Sequence, residues 1–192
     1  MISVWDPLVR IFHWLLVISF SVAYLLEDTR FKLHLLAGSI VFGLVVFRLI
    51  WGWVGTPHSR FADFPWRPRQ VLRHFGELLR GHAHPYTGHT PAGSAMIVAL
   101  LTGLLLLSLS GVALYGFQEA RGPLAGLMAP LSLEGGYLLE DIHDLIATGL
   151  VALISLHIAG VILESLLQRQ NLARAMITGR KPLAGHVPAQ KE

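Results

Sequence analysis

The chain contains no cysteine. That excludes disulfides, thiolate-held iron–sulfur clusters and covalent c-type haem attachment, which needs C-x-x-C-H. Non-covalent haem, which histidine alone can hold, is not excluded. Charge is scarce too: Asp, Glu, Lys and Arg make up 14% of 192 residues. A soluble domain of this length needs more charge than that to cover its surface. What fills the composition instead is apolar, with 53% hydrophobic residues and a mean hydropathy of +0.56. The expected solvent is a lipid bilayer, and no nucleic-acid partner is expected.

A spanning helix needs about 20 mostly apolar residues. Four stretches meet that requirement, at about 8–26, 33–54, 91–117 and 138–167. The last two exceed the bilayer's need, so they tilt or protrude. The first is read as a retained helix and not a cleaved leader. Trp5, Asp6 and His13 fall before or inside its apolar run, and Arg10 is its only early positive charge. Asp6-Pro7 and Thr90-Pro91 look like N-caps with proline at the first helical position. Asp28 or Thr29 would cap the second helix, and the breaker Glu134-Gly135-Gly136 precedes the fourth. Trp5, Trp51, Trp53, Tyr24, Tyr115 and Tyr137 fall near predicted ends, as interfacial aromatics do.

The fold class expected is therefore all-α: an integral membrane four-helix bundle. With both termini inside, Arg30, Lys32 and Arg121 lie outside, and the other twelve of fifteen Lys and Arg lie inside or at the inner interface. The positive-inside rule then gives N-in, C-in, and in a bacterium both termini are cytoplasmic at the inner membrane. The inner loop carries "PWRPRQVLRHFGELLRG", which places Val71, Leu72, Phe75, Leu78 and Leu79 on one helical face. That predicts a short amphipathic helix on the inner leaflet. Residues 1–170 form the membrane domain. Residues 171–192 form a basic cytoplasmic tail, a short helix stopping at Gly179 followed by frayed chain.

The fourth stretch, "EDIHDLIATGLVALISLHIAG", carries two histidines, His143 and His157. Fourteen residues are about 40° short of four turns, so the two share a face, separated by about 21 Å along the axis. Each needs a partner, because an unsatisfied polar group in hydrocarbon costs several kcal/mol. His34 opens the second helix at the outer level, with His143. His13 lies about 18 Å below the outer end of the first helix, near the depth of His157. The expected pairs are His13–His157 at the inner level and His34–His143 at the outer level. The third helix contributes no histidine.

Two imidazoles facing each other at one depth can sandwich a flat haem, and with both axial positions filled the iron has no vacancy for oxygen. The chemistry left is one-electron transfer. The alternatives are interhelical hydrogen bonding or a proton relay. Zinc fits less well, with only two histidines per level, although Glu140 and Asp144 stand near the outer one. Arg48 follows His34 by fourteen residues, on the same face at the inner level, and Arg10 precedes His13 by three. Either could pair the inner haem's propionates, or both could snorkel to the interface. Arg30 and Lys32 could act likewise at the outer level. Gly38, Gly43, Gly103, Gly111, Gly149 and Gly160 could admit a ring, or serve helix packing alone. The remaining histidines, His58, His74, His82, His84, His89 and His186, read as solvated interfacial residues. His89 alone is placed well for a quinone or propionate contact.

The segments "VWDPLVRIFHW", "LHLLAG", "GHTPAG" and "IHDLIATGLVALISLHIAGV" resemble the bacterial cytochrome b561 and nickel-hydrogenase b-type cytochrome family. "PHSRFADF" and "NLARAMITGRK" resemble its hydrogenase-cytochrome branch, and the resemblance covers nearly the whole chain. It implies a four-helix membrane protein with two non-covalent b haems, held from helices one, two and four. The matching ligands are His13, His34, His143 and His157. It further implies electron exchange between the quinone pool and a periplasmic partner, such as a hydrogenase small subunit or a cytochrome c. Some members of the family oxidise superoxide.

Three functions are weighed on this basis. The first is a di-haem electron carrier between quinone and a periplasmic redox protein. The outer loop's Glu119, Glu134, Glu140, Asp141 and Asp144 against Arg121 would steer a basic partner, or simply favour the helix dipole. The second is a superoxide:quinone oxidoreductase, which wants a positive funnel that Glu27 and Asp28 cancel at Arg30 and Lys32. The third is a haem-free membrane anchor.

Overall fold

The computed structural model describes residues 2–3, 6–27, 29–57, 59–65, 67–82 and 88–181. Among them are the four spans expected: α1 (Pro7–Leu25), α2 (Phe31–Val54), α4 (Pro91–Gln118) and α6 (Leu133–Leu167). Each is long and apolar enough to cross a membrane. At 35 residues α6 is about 52 Å long, well past the ~30 Å hydrocarbon core. Three short helices join them: α3 (Pro68–Leu79), α5 (Ala125–Met128) and α7 (Leu172–Thr178).

The helix starts follow from side-chain caps. Asp6 Oδ1 accepts from the Leu8 N–H at 2.7 Å, and Thr90 Oγ1 from the Gly93 N–H at 3.1 Å. Asp28 lies outside the described residues, and α2 begins at Phe31. Asn171 caps α7 through the Arg174 N–H at 2.7 Å, and Gly179 closes it with φ 76°. The tail is not frayed directly after that glycine. β2 (Arg180–Lys181) pairs antiparallel with β1 (Ile2–Ser3), which ties the two ends of the chain together.

The fourth span differs from expectation at its start. Glu134-Gly135-Gly136 does not break the helix but forms its first turn. Ser132 supplies the cap, its hydroxyl accepting from the Gly135 N–H at 3.2 Å. Gly136 is buried because the Phe117 ring lies where a side chain would stand, 2.1 Å from an added Cβ. The glycine serves close packing here, not chain reversal.

Helix α3, between the second and third spans, is amphipathic as expected, but its apolar face divides. Leu78 is buried while Leu72 is 73% exposed and Phe75 is exposed, leaving an apolar edge uncovered. His74, expected to be solvated, is only 1% exposed.

The chain divides into two compact units, and the division falls within every span. The first is Met1–His13, Arg48–Val98 and Ser155–Glu192; the second is Trp14–Phe47 and Ala99–Ile154. Their interiors differ in character. The first buries Arg48, Ser59, His74, Thr90 and Ser94 beside its apolar side chains. The second buries Val41, Val45, Leu101, Leu104 and Leu150, with Ser19 its buried polar residue among those described.

Gly136→Val should lower stability by about 1–3 kcal/mol, because the new side chain forces the Phe117 ring from its place. Gly43→Ala should be neutral, since an added Cβ there meets nothing within 4 Å. Thermal unfolding of the two variants in detergent, side by side, checks the contrast.

Candidate functional site

The second unit brings His34 of α2 and His143 of α6 together, with ring centroids 6.3 Å apart and planes at 69°. His34 Nδ1 lies 2.9 Å from the Ala23 carbonyl oxygen. Ala23 is in the last turn of α1, where carbonyls run out of N–H partners along the helix. A carbonyl can only accept, so Nδ1 carries the proton and Nε2 keeps its lone pair.

His143 reaches the same tautomer by another route. Its Nδ1 lies 2.8 Å from Ser110 Oγ of α4, and that hydroxyl donates to the Leu107 carbonyl at 2.9 Å. A serine has one proton to give, so His143 Nδ1 must donate to it. Beside Ser110, Gly111 clears room for the ring: an added Cβ would stand 3.2 Å from His143 Cε1. The third span, which offers no histidine, thus supplies the slot that orients one. The Ser110-Gly111 pair was legible only as a polar and a small residue at the outer depth. Nothing in the sequence linked it to His143.

His13 and His157 both lie in the first unit, half-buried and close enough to interact electrostatically. Arg48 shares that unit and is 3% exposed. Its Nη2 donates to the Ser59 carbonyl at 2.9 Å, and its guanidinium carbon lies 4.9 Å from the Phe61 ring centre. Phe61 gets there because Gly52 has no side chain; an added Cβ would fall 2.1 Å from the ring. Arg48 Nη1 is buried without a hydrogen-bond partner. Asp6 is near enough to act on Arg48 electrostatically, and it also accepts from Thr56 Oγ1 at 2.7 Å. Arg48 is therefore held inside the protein and does not snorkel.

Arg10 has a different task from either one expected. Its Nη1 donates to the Ile177 carbonyl in the last turn of α7, tying the first span to the tail helix. Arg30 and Lys32 are exposed. His82 is exposed, and His89 packs against Phe64 with centroids 4.5 Å apart. His58, His84 and His186 lie outside the described residues.

His74 overturns the solvated reading. Its Nε2 lies 3.2 Å from Glu164 Oε1, and Thr90 Oγ1 donates to the same oxygen at 3.0 Å. The Glu164 side chain is 13% exposed. A histidine at an i, i+4 distance from the buried Leu78 was the available signal, and it was masked by the basic residues around it.

The glycines sort by surroundings. Gly103 receives Leu150, 2.8 Å from an added Cβ, so it serves helix packing. Gly43 and Gly149 are exposed. Gly38, one turn after His34, and Gly160, three residues after His157, are half-buried, yet an added Cβ at either would meet no protein atom within 4 Å.

These features define a multi-pass membrane protein with one pair of histidines in each of its two compact units. Residues 4–179 match the prokaryotic cytochrome b561 family, and the chain belongs to it. That family is one of b-type cytochromes. Among its relatives is a probable Ni/Fe-hydrogenase B-type cytochrome subunit of Bradyrhizobium diazoefficiens, 25% identical over 77% of this chain and 64% of that protein. The chain therefore spans slightly less than two thirds of that relative. Proteins of the same description from Rhodobacter capsulatus and Rhizobium leguminosarum bv. viciae are 23% and 24% identical, each over 94% of this chain, and over 81% and 88% of their own lengths. No solved structure matches the chain significantly.

Ser110→Ala should release the His143 ring from the tautomer that its Nδ1 contact holds. Histidine ring-nitrogen NMR of the detergent-purified protein should show His143 changed and His34 unchanged.

Proposed function

We propose that this chain holds two b haems, one between His13 and His157 and one between His34 and His143. It then moves electrons through the membrane between quinone and a redox partner on the outer side. The observation that carries this reading is the outer pair. Two imidazoles that would share one metal stand with ring centres about 6 Å apart. His34 and His143 stand at 6.3 Å, and each donates its Nδ1 proton elsewhere, which leaves Nε2 as the ligand atom. Gly38 and Gly160 add the room a macrocycle needs beside each ligand level. At the inner level the unpartnered Nη1 of buried Arg48 suits a propionate, with Asp6 nearby to offset part of its charge.

When bound, the haems supply reversible one-electron redox chemistry. The protein's part is to fix ligand tautomers, to hold Arg48 through Ser59 and Phe61, and to exclude water. The two histidines of each pair would hold the haem between them, and the chemistry supplied there would be electron transfer.

The basic residues support an inner membrane location with both termini cytoplasmic. On the outer side Glu119, Glu134, Glu140, Asp141 and Asp144 are all exposed, which favours a basic docking partner over an anionic substrate such as superoxide. The relatives' description favours a hydrogenase subunit as that partner.

A reduced-minus-oxidised optical spectrum of the purified protein, with haem quantified, should give two b haems per chain. His157→Ala should remove the inner haem and His34→Ala the outer one. Equal loss of both haems from each single variant, in a folded bundle, would overturn the separate-pair assignment. Arg48→Gln should lower the potential of the inner haem alone, because it removes a buried cation that favours the electron-rich state. A potentiometric titration reads that shift.

A further inference from the structure

The first unit holds a buried titratable pair that haem ligation does not use. His74 and Glu164 come from α3 and α6, ninety residues apart in sequence, and meet at 3.2 Å with Thr90 of α4 on the same carboxylate oxygen. The pair ties α3 to the bundle, but an uncharged hydrogen-bonded pair would do that without ionisable groups. Ionisable groups taken out of water carry a desolvation cost, and an apolar contact of similar volume is often as stable or more so. Ionisable residues within membrane helices most often mark ion or proton pathways.

Its position is specific. Glu164 follows His157 by seven residues, about 20° short of two turns, so it lies on the ligand face of α6 roughly 10 Å further along. The neighbouring charged groups are Arg73 and Glu77 of α3, which pair with each other at 3.5 Å, and Arg169 just past α6. His13, His157, His74, Glu164 and Thr90 all belong to the one unit.

We propose that His74 and Glu164, positioned by Thr90, are the proton-exchange group for a quinone bound at the inner level. The proposal rests on the quinone-linked reading given above. Oxidation of a hydroquinone to its quinone releases two electrons and two protons. The electrons are the haems' business, but an iron with two histidine ligands binds no proton, so the protons need a base. The His74–Glu164 pair takes them one at a time and passes each to the inner aqueous phase. In the reverse direction it delivers two protons to the reduced ring. Thr90 does not exchange protons itself. Its hydroxyl accepts from the Gly93 N–H, which leaves its own proton directed at Glu164 and holds that oxygen in place.

The test uses the detergent-purified, haem-loaded full chain and its Glu164→Gln, Glu164→Asp and His74→Gln variants. Haem reduction is timed with a short-chain hydroquinone and with a one-electron metal-complex donor that carries no proton. In Glu164→Gln and His74→Gln the hydroquinone rate should fall about 100-fold, the scale of a lost acid–base group, while the metal-complex rate stays the same. Glu164→Asp should recover most of the hydroquinone rate. Infrared difference spectra on hydroquinone addition should show a carboxyl protonation band that Glu164→Gln removes. Equal falls with both donors would mean a structural role and overturn the proposal, as would no fall with either. A wild-type chain that hydroquinone cannot reduce, but the metal complex can, would overturn the quinone reading itself and this proposal with it.

Discussion

In hydrocarbon both nitrogens of an imidazole need partners, and the arrangement of this bundle follows from meeting that demand. His34 spends one nitrogen on the last turn of α1, and His143 spends one on a serine whose own proton is committed to α4. Each bond fixes a tautomer, a ring orientation and the spacing of two helices at once. The Nε2 lone pairs left over are available to a shared ligand, and coordination of a common metal is the use proposed for them. The interior of the second unit is otherwise mostly apolar, with Ser19 its buried polar residue among those described.

The first unit solves the same problem with loops. Asp6 caps α1 and also accepts from Thr56, while Ser59 takes one arm of Arg48 through its carbonyl. Arg10 closes the carbonyl end of α7, and β1 pairs with β2 behind it. Glu164, His74 and Thr90 join α6, α3 and α4. Polar side chains far apart in the sequence thereby tie the loop between α2 and α4, the tail helix and all four spans together. A membrane protein gains nothing from excluding water between lipid-facing helices, so hydrogen bonds and close packing must supply this cohesion. The glycines at 52 and 136 provide the packing half, each admitting a phenylalanine ring against a helix backbone.

Much of this was legible without coordinates. Length and hydropathy of the apolar runs gave four spans, since each exceeds what a bilayer requires. Asp6, Thr90 and Gly179 announced helix ends, because capping is local chemistry. Helical arithmetic put His143 and His157 on one face, and depth proposed their partners; the fourteen-residue spacing needs no tertiary information. Glu134-Gly135-Gly136 misled for the same local reason: two glycines weaken a helix in isolation, and only the ring of Phe117 makes them useful inside one.

What the sequence determined by itself is whatever depends on neighbours along one helix: spans, caps and the faces that carry the histidines. What only the tertiary structure decided is where each polar side chain finds its partner. Ser110 against His143, Arg48 beneath Ser59 and over Phe61, and His74 against Glu164 join residues separated by 33, 11 and 90 positions. No periodicity encodes such contacts. A buried hydrogen bond is specified by distance and direction in three dimensions, and those are set by how the helices pack.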